Sequence, residues 1–201
     1  MDKKKLGTSI NFIEVEHLKN TRFAFIKNEI LKENIAIQMQ YIVFLISLEE
    51  SFGLSGSITY SAFKNIIIST ASIVESLIHY KMDELIKTGR IKEQSIMKKK
   101  IKYSNCKELY KISENESICG IKKILKPKRL TNDTTFIELN RSAKRSGLFT
   151  KDLFNKAEFI RIARNKIHPY SLKEVDNKYS QKDINDIFIK TSSIIQKIEN
   201  Y

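Results

Sequence analysis

The chain has few of the residues that break or cross-link a protein fold. Its 201 residues include two Pro, six Gly, no Trp and only two Cys, Cys106 and Cys119. With 41% hydrophobic residues and so few breakers, a disordered chain is excluded. Two cysteines cannot form a disulfide framework, and neither has a His at the spacing of a zinc site, so we expect no metal or other cofactor.

The sequence also lacks a long hydrophobic run. Its most apolar stretch, residues 41–48, is much shorter than the roughly 20 residues that span a bilayer. No apolar segment follows the lysines at residues 3–5, as it would in a signal peptide. We therefore expect one soluble, cytoplasmic domain over residues 1–201 that makes no membrane contact.

Acidic residues are scarce in one part of the chain. The net charge is +13, yet residues 1–60 contain seven basic and seven acidic side chains. Residues 87–130 contain fourteen Lys and Arg but only four Glu, an excess of ten positive charges. Such a segment attracts phosphate backbones by releasing counterions, although solvated loops of a lysine-rich protein would have the same composition.

Hydrophobic residues recur at three- to four-residue steps over most of the chain and predict an all-α fold. The first predicted helix has an apolar stripe of Phe23, Ile26, Ile30, Ile37, Tyr41, Phe44 and Leu48, and ends before Gly53 and Gly56. The second has Phe63, Ile67, Ala71, Val74, Ile78, Met82 and Leu85, and ends before Gly89. The last, entered through residues 180–183, has Ile184, Ile187, Phe188, Ile194, Ile195 and Ile198.

The basic segment has a different hydrophobic pattern from the helices around it. Apolar residues flank the turn-forming residues 113–116, which predicts a small basic β-hairpin inserted at about residues 95–130. Cys106 and Cys119 would lie on opposite strands, and we expect two reduced thiols. Tyr103 and Tyr110 stand among lysines, where they would either stack on unpaired bases or pack within the sheet.

Two helix starts are predicted after the hairpin. Thr135 and Glu138 have capping-box spacing, and Gly147 fits the left-handed position after the helix that they begin. Thr150 is predicted to cap the next helix. That helix should end at His168, because Pro169 disfavours helical geometry in the residue before it.

The second of these helices concentrates chemically useful side chains near its end. At 100° per residue, Arg161, Arg164 and His168 share an arc of about 60° at the edge of the buried stripe, with Asn165 beside them. Guanidinium groups bind phosphate or carboxylate in a bidentate manner, and imidazole exchanges protons near neutral pH. The alternative is a structural role, with both arginines paired to neighbouring acids.

Residues 133–170 of this sequence resemble a known family. The stretch FIELNRSAKRSGLFTKDLFNKAEFIRIARNKIHPY is similar to the C-terminal half of HEPN-domain proteins, all-helical bundles that include many ribonucleases. Their motif is an Arg followed after four to six residues by a His, often with a polar residue directly after the Arg. Six residues separate Arg161 from His168. Arg164 is followed by Asn165, but only three residues separate it from His168. The preceding helices, including TASIVESLIHYK, resemble the N-terminal half of these proteins. The resemblance is close over residues 133–170 and weaker over about residues 60–201 as a whole.

The resemblance implies a single HEPN-like antiparallel helical bundle that forms a homodimer around a basic cleft. It also implies a metal-independent endoribonuclease in which the ribose 2′-OH attacks the phosphodiester, a hydrolase of toxin–antitoxin or antiviral defence type. His168 would be the general acid/base, Arg161 or Arg164 the phosphate clamp, and Asn165 would orient them. The expected RNA-binding residues of the insert are Lys98, Lys99, Lys100, Lys122 and Lys123.

Three alternatives stay open at this point. The chain could be a non-catalytic module that binds RNA or a protein partner with the same helix. Glu75 and His79, four residues apart on the second long helix, could face the cleft or pair with each other. Tyr170 in the order His-Pro-Tyr resembles the tyrosine of HEPN toxins that a partner nucleotidyltransferase, acting as antitoxin, modifies with AMP; otherwise it is a packed tyrosine.

Overall fold

The computed structural model describes residues 13–97, 100–126, 129–167 and 179–201. These residues contain seven helices and one two-stranded antiparallel sheet, so the prediction of a helical fold with a small hairpin is confirmed. The helices are α1 (Val15–Asn20), α2 (Glu29–Phe52), α3 (Ser57–Lys87), α4 (Glu93–Ile96), α5 (Phe136–Arg145), α6 (Lys151–Asn165) and α7 (Gln181–Glu199). The strands are β1 (Lys100–Lys111) and β2 (Ser117–Lys126).

Helix α3 is the centre of the molecule. It packs against α2, α5, α6 and α7, and every residue of its predicted apolar stripe is buried. A helix enclosed on several sides needs apolar residues around more than one face, and α3 also buries Ile66, Ile73 and Leu77. The helix ends at Lys87, two residues before Gly89, whose φ of 71° is the left-handed conformation that ends helices.

Helix α2 begins later than the sequence predicts. Phe23 and Ile26 are buried, but they lie in the turn before the helix, which starts at Glu29. Asn28 caps it, since its side-chain oxygen accepts a hydrogen bond from the Leu31 N–H at 3.0 Å. The core side of α2 is formed by Ile35, Ala36, Ile42 and Leu45, so the stripe that predicted the helix lies on its other side.

The caps of the later helices agree with the sequence in part. Thr150 caps α6, accepting a hydrogen bond from the Leu153 N–H at 3.3 Å. Thr135 precedes α5, but its side chain makes no capping hydrogen bond, so the predicted capping box is wrong there. A reciprocal box instead joins Ser180 and Asp183 at the start of α7.

Helix α6 ends at Asn165, three residues earlier than predicted, and Lys166 and Ile167 form a turn. His168, Pro169 and Tyr170 lie outside the described residues. The predictions that rest on them are therefore not tested by the structure.

The hairpin forms as predicted. Its strands pair antiparallel, with Tyr103 opposite Lys123 and Tyr110 opposite Ile118, and residues 113–115 form the bend. Cys106 and Cys119 are free, exposed thiols in contact with each other, and this contact raises the pKa of Cys106. No buried core residue in the described part of the chain comes from these strands, so the hairpin is a separate arm attached to the helical body.

Two helices, α2 and α3, are long and apolar enough to cross a bilayer by length and composition alone. In α3, 56% of the most apolar window is buried inside the protein, which accounts for its composition. In α2 only 22% of the most apolar window is buried, so packing inside the protein does not account for the apolar residues on its outward side.

Candidate functional site

The predicted buried stripe of α6 is confirmed in part and fixes where its arginines lie. Ala157 and Ile160 are fully buried, and Ile167 is packed against the core with part of its surface exposed. Arg161 and Arg164 lie at the edge of this stripe, partly exposed, as the helical geometry requires. Asn165, the last residue of the helix, is exposed.

Arg164 joins α6 to the central helix. Its Nη1 donates a hydrogen bond to Oε2 of Glu75 on α3 at 2.9 Å. The Arg164 side chain is 35% exposed and that of Glu75 is 26% exposed, so solvent and ligands reach this ion pair. The contact uses one of the five N–H donors of the guanidinium. Arg164 is thus held in place while part of its binding capacity faces outward.

Arg161 belongs to a different group of side chains. Its Nε and Nη2 both donate to Oε2 of Glu158, at 3.0 and 2.8 Å. Glu158 also accepts a hydrogen bond of 2.6 Å from Nδ2 of Asn140, a fully buried residue of α5. Arg161 therefore helps to join α5 to α6. Both arginines are paired with acids, which agrees with the structural alternative considered from the sequence.

Glu75 and His79 do not pair with each other in any described contact, but both line one pocket. Nε2 of His79 lies 3.1 Å from the backbone oxygen of Thr131, in the segment before α5. A carbonyl oxygen only accepts hydrogen bonds, so Nε2 is the donor in this contact. The contact with Thr131 fixes the orientation of the His79 ring in the pocket wall.

The pocket itself has a volume of about 620 Å³, within the range of small-molecule sites. Its walls are formed by α3, the start of α2, the segment before α5 and α5 itself. The lining residues are Asn28, Leu31, Ser72, Glu75, Ser76, His79, Tyr80, Asp83, Asn132, Thr134 and Leu139. Most of them carry hydroxyl, amide, carboxylate or imidazole groups, so the pocket suits a polar ligand with several hydrogen-bonding groups.

The remaining predicted site residues lie elsewhere or are not described. Lys122 and Lys123 are exposed on β2, and Lys100 is the first residue of β1. Lys98 and Lys99 lie outside the described residues, as does His168. Within the described part of the chain, no group of three or more His, Cys, Asp or Glu side chains is placed to hold a metal ion.

Sequence reasoning missed the acids that hold the arginines. Glu158 could have been found, because residues three apart on a helix are neighbours. The contact between Arg164 and Glu75 joins residues 89 positions apart and has no local sequence signal. The contact of His79 with Thr131 likewise depends on how α3 packs against the segment before α5.

Comparison with known proteins adds no identification. No protein-family model matches this chain, and no curated protein or solved structure is similar to it at a significant level. The functional interpretation therefore depends on the motif, the charge and the geometry of the site.

Proposed function

We propose that this chain is a metal-independent endoribonuclease of the HEPN type that works as a toxin or antiviral defence effector. The single observation that carries the proposal is the position of Arg164. This residue of the Arg/His motif lies on α6 and is held by Glu75, which lines the same pocket as His79. Arginine, a carboxylate and an imidazole on adjoining helices are what a phosphodiester transfer at neutral pH needs.

Arg164 is the better candidate for the phosphate clamp. It is the more exposed of the two arginines, at 35% against 21% for Arg161. Arg161 directs two of its donors to one carboxylate oxygen, which commits more of its guanidinium to joining α5 and α6. The motif spacing favours Arg161 instead, so the two criteria give different answers and a direct comparison of variants decides between them.

The reaction needs two proton transfers. A base takes the proton of the ribose 2′-OH as that oxygen attacks phosphorus, and an acid protonates the departing 5′ oxygen, leaving a 2′,3′-cyclic phosphate and a 5′-OH. Attack by the 2′-OH makes RNA the substrate, because DNA lacks that group. His168 is the proposed acid/base of the motif, and His79, in the pocket wall, is a candidate for the second transfer.

RNA binding is supported by the hairpin. Tyr103 is 63% exposed and Tyr110 is 65% exposed, so neither packs within a core, and both are available to stack on bases. Tyr103 pairs across the strands with Lys123, so an aromatic ring that can stack on a base lies beside a cation that can bind phosphate. Lys98, Lys99, Lys100 and Lys122 are proposed to extend this surface.

The assay is cleavage of total RNA by purified protein, with Arg164→Lys and Arg161→Lys tested side by side. Lysine keeps the charge but loses the planar fork, so we expect only Arg164→Lys to impair cleavage. His79→Ala should also impair it, whereas His17→Ala, at an exposed position on α1, should not. Equal cleavage by the wild type and all of these variants would contradict the proposal.

The second candidate function is a non-catalytic module that binds RNA or a protein partner. It is favoured by the pairing of both Arg161 and Arg164 with acids. RNA binding without cleavage under all conditions tested would support it. A nucleotidyltransferase that modifies Tyr170 remains a proposed antitoxin partner, tested by incubating the two proteins with ATP and measuring the mass of this chain.

A further inference from the structure

The outward side of α2 carries a row of apolar side chains, of which Ile30, Ile37 and Tyr41 are exposed and Phe44 packs partly against the core. We call Ile30, Ile37, Tyr41, Phe44 and Leu48 the α2 seam. Ile30 is 77% exposed, Ile37 47% and Tyr41 42%, while Phe44 and Leu48 are half-buried. Large exposed apolar patches on globular proteins mark surfaces that are covered by a partner.

The spacing of the seam is that of helices that pack against other helices. From Ile30 through Asn34, Ile37, Tyr41 and Phe44 to Leu48 the steps are four, three, four, three and four residues. This alternation is the core repeat of a coiled coil. The exposed Asn34 is its one polar position, and a single asparagine at such a place fixes the register between paired helices.

The charge around the seam argues against a nucleic acid, an anionic membrane or a charged peptide as its occupant. The seam is uncharged, and of the residues in the rows beside it, at positions 31, 33, 38, 40, 45, 47 and 52, only Glu33 is charged. Lys19 neutralises Glu33 in an ion pair. A surface that binds a charged partner carries side chains of the opposite charge. These rows have no such cluster of acidic or basic residues.

A second copy of the same chain fits these observations best. Two molecules of net charge +13 repel each other least when neutral surfaces face each other, and the seam is such a surface. The helix is about 36 Å long and is already folded against α3, so pairing costs no helix formation. We propose that the α2 seam is a contact surface between two copies of this chain.

This proposal is independent of RNA cleavage and of any contact through α6. Helix α2 packs against α1 and α3, whereas α6 packs against α3, α5 and α7. Pairing through α2 therefore joins two molecules by a surface other than the helix that carries Arg161 and Arg164. A chain with no ribonuclease activity could still associate in this way.

The experiment is size-exclusion chromatography with light scattering on the full chain over a dilution series. We expect the wild type to have at least twice the 23.4 kDa mass of one chain, and Ile37→Glu and Ile30→Glu to halve the mass of the assembly. Both positions are exposed, so the variants should fold, which circular dichroism checks. The matched controls are Ile189→Glu, at an isoleucine of α7 that is 65% exposed, and Ile162→Glu on α6.

Three outcomes would overturn the proposal. In the first, the wild type is a monomer at every concentration. In the second, both seam variants keep the wild-type mass, or Ile162→Glu alone halves it, which would place the contact on α6. In the third, monomeric wild-type protein floats with phosphatidylcholine vesicles and Ile37→Glu does not, which would make the seam a membrane contact.

Discussion

Removing Arg164 should damage catalysis much more than it damages the fold, and Arg161 provides the comparison. Both arginines lie on α6, one turn apart, and both pair with a glutamate at 2.8–2.9 Å. Each pair is partly exposed, so we expect either Arg→Ala substitution to lower the free energy of unfolding by about 1 kcal/mol. Against a total stability of roughly 5–15 kcal/mol, nearly all of either variant stays folded.

The two variants should differ in activity. Losing a group that stabilises charge in the transition state costs roughly 10²–10³-fold in rate, so Arg164→Ala should lose at least that much RNA cleavage. Arg161→Ala should keep activity close to the wild type, since its guanidinium is committed to Glu158. Urea unfolding and initial cleavage rates on the same preparations give both quantities. Equal losses of activity in the two variants, or losses that follow stability, would refute this division of roles.

Other predictions concern the hairpin, the core and the last helix. The double variant Lys122→Glu, Lys123→Glu should weaken RNA binding and make it less dependent on salt. Each lost phosphate contact removes about 0.7 from the slope of log binding constant against log salt concentration for single strands. An unchanged slope, measured by fluorescence anisotropy, would mean that these lysines do not contact RNA. Ile78→Ala, at a fully buried position of α3, should lower the free energy of unfolding by about 2–5 kcal/mol in urea, and a cost below 1 kcal/mol would contradict the described core. The hydrogen bonds from Ser180 hold the pKa of Asp183 below its usual 3.8, so their stabilisation is complete above that pH and is lost as the pH falls through the lower, folded-state pKa. Asp183→Asn should therefore reduce the acid dependence of unfolding below about pH 3.8, measured by circular dichroism.

The sequence predicted the helices best where the predicted apolar stripe faces the core. All seven stripe residues of α3 are buried, and the five isoleucines predicted for the stripe of α7 are buried too. Helix α2 is different, because it is apolar on two sides. Periodicity identified the helix but could not tell which stripe faces the core, and the structure places Ile35 and Ile42 inward and Ile37 and Tyr41 outward.

Caps and contacts between distant segments were harder to predict. Thr135 with Glu138 and Ser180 with Asp183 have the same spacing, but only the second pair forms a box. The spacing allows these bonds, while the local backbone decides whether they form. For the site, helical geometry placed Arg161 and Arg164 at the edge of the buried stripe. The pairing of Arg164 with Glu75 depends on tertiary packing and could not be predicted from the sequence. The pairing of Arg161 with Glu158, three residues away on the same helix, could have been predicted.

The most direct test of the central claim is RNA cleavage by wild-type protein and by His168→Ala, each assayed with and without EDTA. The residue follows the turn that ends α6, and general acid/base catalysis typically contributes 10²–10⁴-fold, so the variant should lose at least that much activity. The wild type should produce 2′,3′-cyclic phosphate ends equally well in EDTA, and circular dichroism should show both proteins folded. Equal degradation of RNA by the two proteins, or cleavage that stops when metal is removed, would contradict the account.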